Sequence, residues 1–161
     1  MTSRPVALAR GLLTAALVWG IGSLLTLVAF GVVGAPTTIA DVSGQTDRAQ
    51  IVWWGAHAFF ACLGGLLGVA IGGISLTRAR LARPGAATSA LGLPILAVGG
   101  AVLMALTATD RIAGDLAFAC GVGLLTGVVG GTVYVLQIGT PDDEYRPYPA
   151  ARRAGQSWGS R

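Results

Sequence analysis

The chain has no lysine and no asparagine, and without asparagine it offers no acceptor for N-glycosylation. Arginine, alanine and glycine are plentiful instead, which reads as codon bias in a high-GC, prokaryotic genome. There is one histidine, His57, and there are two cysteines, Cys62 and Cys120, separated by 57 intervening residues. That set is too small for a closed zinc site within one chain, and no CxxC motif exists. Neither a Walker A sequence nor HExxH nor a nucleophile elbow is present. No metal, cofactor or catalytic residue is expected. Charge is also scarce: 11% of the residues are charged, against about 25% in soluble domains.

What fills the chain instead is apolar. Hydrophobic residues make up 53% of it, concentrated in four blocks at about 11–33, 52–76, 86–107 and 112–138. Each reaches the roughly 20 residues that a helix needs to cross a hydrocarbon core of about 30 Å. In lipid the backbone must satisfy its own polar groups, and the alternation of a membrane barrel strand is missing, so the blocks are read as helices. The expected fold is an all-α membrane protein, a four-transmembrane-helix bundle over residues 1–139. Residues 140–161, acidic at Pro141-Asp142-Asp143-Glu144 and then rich in proline and arginine, are read as a disordered cytoplasmic tail. The first apolar block exceeds the usual length of a signal-peptide core, so it is read as a retained helix.

The net charge of +4 follows from where the arginines sit, not from nucleic-acid binding. Arg4, Arg10, Arg78, Arg80, Arg83, Arg146, Arg152, Arg153 and Arg161 fall on one side of the four spans, with only Arg48 and Arg111 on the other. The positive-inside rule then places both termini in the cytoplasm, with the chain in the cell membrane. Between the spans, Gly34–Gln50 forms the longest connection, Trp53-Trp54 marks the outer interface, and about four residues join the last two helices, which must be antiparallel neighbours. Thr109 or Asp110 is suited to cap the fourth helix, and Pro94 should kink the third.

An internal repeat organises the second and fourth blocks. Phe60-Ala61-Cys62, Gly65-Leu66-Leu67 and Gly72-Gly73 recur as Phe118-Ala119-Cys120, Gly123-Leu124-Leu125 and Gly130-Gly131, a constant 58 residues on. The bundle is therefore read as two related helical hairpins, with the second and fourth helices running the same way. Stripes of small residues, Gly64, Gly68 and Gly72 in one copy and Gly123, Gly127 and Gly131 in the other, are read as helix-packing surfaces. A further stripe, Ala97, Ala101 and Ala105, lies in the third block.

Few side chains in the spans carry chemistry. His57 is one turn from Trp53, and Asp115 stands at its repeat-equivalent position, so the two form a candidate transport or ion site. The competing reading has Asp115 stabilised at the start of its helix, paired with Arg111, while His57 meets interfacial water. Cys62 and Cys120 are a candidate thiol pair at equal depth, but their apolar neighbours favour buried structural thiols. Ser23, Thr26, Ser75, Thr126 and Thr132 are available for hydrogen bonds across helices. The leading expectation is a structural or accessory membrane subunit without enzymatic chemistry, surrounded by lipid and associated with a membrane partner or with copies of itself. The alternative is a small oligomeric transporter or channel with His57 and Asp115 near its outer mouth.

Overall fold

The structure, a computed structural model, describes residues 3–33, 45–108 and 111–138. They form four helices: α1 (Arg4–Val33), α2 (Gln45–Arg78), α3 (Pro84–Thr107) and α4 (Arg111–Ile138). All four are long and apolar enough to span a membrane. The expectations for Thr109, Asp110 and the tail from residue 140 lie outside the described residues, as does most of the first connection.

Two helices begin earlier than the apolar blocks suggested. α1 starts at Arg4 because Pro5 falls in the first turn, where its missing N–H costs nothing, and the Ala7 amide donates to the Ser3 carbonyl. α2 starts at Gln45, since the polar run from Gln45 to Gln50 contains neither glycine nor proline to stop it. α3 runs as one helix through Pro94.

The bundle is organised around α2, which touches each of the other three helices, while α1 and α4 do not touch among the described residues. Glycine decides how closely they approach. On the α1 side, a Cβ added at Gly64 would meet the Ala15 carbonyl at 2.9 Å, and one at Gly68 would meet the Gly11 carbonyl at 2.9 Å. Gly72 packs on the Cα of Gly11 and on Leu91 of α3. Residue numbers fall along α2 as they rise along α1, so this pair is antiparallel. Gly92 against Val128, Gly99 against Leu124 and Gly121 against Leu103 make α3 and α4 antiparallel as well. Gly64 lies against the backbone N and Cβ of Trp19, and the Trp19 ring reaches Gly99 of α3.

The tightest seam joins α2 to α4. The place a Cβ would take at Gly123 is occupied by the backbone carbonyl of Ala58, at Gly127 by that of Cys62, and at Gly131 by that of Leu66. In return Gly65 receives Leu124 and Val128, and Gly73 receives Val135. Residue numbers rise together, so these helices are parallel. In lipid there is little hydrophobic force between helices, and such close van der Waals approach is what holds them.

The α2–α3 turn closes with a Schellman arrangement. The Leu81 amide donates to the Leu76 carbonyl at 3.0 Å and the Arg80 amide to that of Thr77 at 2.9 Å. Leu81 then packs against the core that contains Leu76. The position that must turn left-handed is Arg80, at φ 53°. Glycine normally takes this place, and a residue with a Cβ costs about 1 kcal/mol there.

Two outcomes follow for unfolding measured in detergent micelles. Gly127→Ala should lose about 1–3 kcal/mol, since backbone cannot step aside for a methyl. Gly20→Ala, at a position with open space around it, should be neutral or slightly stabilising.

Candidate functional site

Apart from the Cys120 thiol, His57 is the one ionisable side chain buried among the described residues, at 6% exposure. Its position in the helix explains how that is tolerated. One turn earlier on α2 is Trp53, whose carbonyl lies 3.0 Å from His57 Nδ1. A carbonyl only accepts, so Nδ1 carries the proton and donates, which leaves the lone pair of the neutral ring on Nε2. The Trp53 ring packs on the imidazole with centroids 4.6 Å apart and planes tilted by 45°. No bond to Nε2 accompanies this one. No fully buried side-chain nitrogen or oxygen among the described residues lacks a partner, so Nε2 keeps an opening at the surface of the bundle.

Asp115 is placed differently. It is exposed, and it has no ion-pair partner among the described residues. The packing register separates it from His57. Gly123 lies on Ala58, next to His57, and Asp115 precedes Gly123 by eight residues. At 1.5 Å per residue this sets the carboxylate and the imidazole on the order of 10 Å apart along the bundle. The structure therefore does not bring His57 and Asp115 together.

The same register governs the cysteines. Contacts between the backbones of α2 and α4 join Ala58 to Gly123, Cys62 to Gly127 and Leu66 to Gly131, each pair 65 positions apart. The sequence repeat runs at 58. Cys62 is thus level with Gly127, two helical turns from Cys120. At the helical rise that is about 10 Å along the axis, beyond the roughly 7 Å between α-carbons that a disulfide can bridge. Cys120 is buried, Cys62 is half-buried, and both are free thiols.

Among the described residues, the hydroxyl groups form no bridges between helices. Thr26 donates to the Gly22 carbonyl at 2.8 Å, Ser75 to Ile71 at 2.7 Å, Thr126 to Val122 at 2.8 Å and Thr132 to Val128 at 2.8 Å. The expected cross-helix bonds of these four are replaced by bonds one turn back on the same helix, which a hydroxyl reaches without needing a neighbour. Buried Thr88 does the same, donating to Gly85 at 3.0 Å.

A groove of about 450 Å³ opens along the α2–α4 seam, lined by Leu66, Leu67, Ala70, Gly130, Val133, Tyr134 and Gln137. It starts nine residues along α2 from His57, and its walls are apolar apart from the tyrosine and the amide. No group of three His, Cys, Asp or Glu side chains that could hold a metal ion occurs among the described residues. Comparison with protein-family models, curated proteins and solved structures finds no match to this chain.

The role of Trp53 was visible only in part from the sequence. Its spacing of four from His57 is the interval that lets a side chain reach a carbonyl one turn back, and that spacing was the available signal. Oxidation with copper phenanthroline should leave Cys62 and Cys120 unbridged within one chain. A monomer that migrates as an internally crosslinked species would contradict the two-turn displacement of the helices.

Proposed function

We propose that this chain is a structural or accessory subunit of a membrane assembly, with no enzymatic chemistry of its own. The observation that carries the reading is how unevenly its helices are covered. Half of the α2 span is buried inside the bundle, but only 11% of the α1 span is. α1 leaves Leu13, Leu17, Ile21, Leu24 and Leu25 exposed, and Gly20 has open space around it. A helix with so little of its surface covered by its own chain leaves most of that surface free for another membrane helix. The tight glycine seams and the hydroxyls turned onto their own backbones support a packing role. In this reading the chain lies in the cell membrane with both termini cytoplasmic, following the arginine distribution, and α2 and α4 descend from a duplicated hairpin.

A second reading, a small oligomeric transporter or channel, is favoured by one feature: the enclosed imidazole whose Nε2 has no bonding partner among the described residues. His57 alone would serve it at the outer mouth, with Asp115 a separate surface charge. His57→Ala in reconstituted vesicles would then abolish ion or solute flux, and unchanged flux would remove this residue from any transport role.

For the accessory reading, a tagged chain in mild detergent should bring down one membrane protein in fixed stoichiometry. Gly20→Leu, which fits the isolated bundle, should weaken that association. A chain that purifies alone, and carries flux or turnover by itself, would overturn the reading.

A further inference from the structure

Five arginines with described side chains, Arg4, Arg10, Arg78, Arg80 and Arg83, gather at one end of the bundle. The packing register sets their levels. Gly11 of α1 lies against Gly68 and Gly72 of α2 and against Leu91 of α3, and Trp19 reaches Gly99. Carried to the helix ends, this puts Arg4, Arg78 and Arg83 at one level, with Arg80 in the turn between the last two. Arg10 is about 9 Å further along the bundle at the helical rise. All five are exposed, and none has a carboxylate partner among the described residues. Asp115, the one acidic residue whose side chain is described, stands at the opposite end. The turn also keeps an arginine, Arg80, at φ 53°, a position that glycine fills without strain in a chain that uses 25 glycines.

We propose that this end of the bundle binds anionic phospholipid headgroups, with Arg78, Arg80 and Arg83 as the phosphate-binding residues and Arg4 extending the patch. The guanidinium fork matches the oxygens of a phosphate. Basic residues that directly flank membrane spans lie where headgroup charge is densest. Here the α2 span ends at Arg78 and the α3 span begins at Pro84, so the three arginines occupy the boundary itself. That depth selects a lipid headgroup over a soluble anion.

The test uses the full chain in vesicles of phosphatidylcholine mixed with phosphatidylglycerol, followed by mild-detergent extraction and mass analysis of the retained lipid. Phosphatidylglycerol should be enriched over its share of the vesicle by several-fold, with the enrichment falling as salt rises. Arg78→Gln, Arg80→Gln and Arg83→Gln together should abolish it. If the triple variant does not fold, Arg83→Gln alone should lower it by about half or more. Retained lipid that mirrors the vesicle, or enrichment that survives the substitutions, overturns the proposal. Displacement of the lipid by inorganic phosphate at matched ionic strength would also overturn it, pointing to a soluble anion. So would enrichment seen only after Asp142→Asn, Asp143→Asn and Glu144→Gln, because the chain's own acidic segment would then be the occupant.

Discussion

The two closest helix contacts in this protein, α2 with α1 and α2 with α4, depend on faces that glycine keeps narrow. In hydrocarbon, burying a leucine gains little over leaving it in lipid, so helices stay together only where their surfaces meet closely. α2 achieves this on two sides. Gly64, Gly68 and Gly72 bring the backbone of α1 close, while the carbonyls of Ala58, Cys62 and Leu66 fit into the gaps left by Gly123, Gly127 and Gly131. The carbonyl-against-glycine seam also suits weak Cα–H···O contacts, which recur where helices approach at this distance.

Polar side chains follow from the same constraint. With backbones this close, a hydroxyl that needed a partner on the next helix would fix the register. Thr26, Thr126 and Thr132 bond instead to their own helices, so shape rather than hydrogen bonding sets the alignment. His57 is handled in the same way, through the Trp53 carbonyl and ring. An imidazole is thereby enclosed without any second helix having to recognise it.

The existence of four helices, and the antiparallel pairing of α3 with α4, could be read from apolar length and from a connection too short to permit anything else. The two glycine stripes serve different partners: Gly64, Gly68 and Gly72 face α1, and Gly123, Gly127 and Gly131 face α2. The relative height of α2 and α4 was not legible. A repeat at 58 residues implies matched depth for matched residues, whereas the backbones interlock at 65. A four-residue small-residue stripe accepts a partner at any whole turn, so the stripe alone does not choose among registers. Both candidate pairs, His57 with Asp115 and Cys62 with Cys120, depended on that choice. The left-handed arginine was equally hidden, because a Schellman closure is usually announced by glycine and Thr77-Arg78-Ala79-Arg80 contains none.

The central place of α2 also bears on how the chain assembles as it leaves the ribosome. α1 and α2 are made first and can dock through their glycine face at once. α2 must then wait, with Gly65, Gly73 and the carbonyls of Ala58 and Cys62 bare to lipid, until α4, which follows it in the chain, arrives to cover them. During that interval the nascent hairpin presents the surface that α4 will later fill, so the order of synthesis makes the α2–α4 seam the final step in completing the bundle.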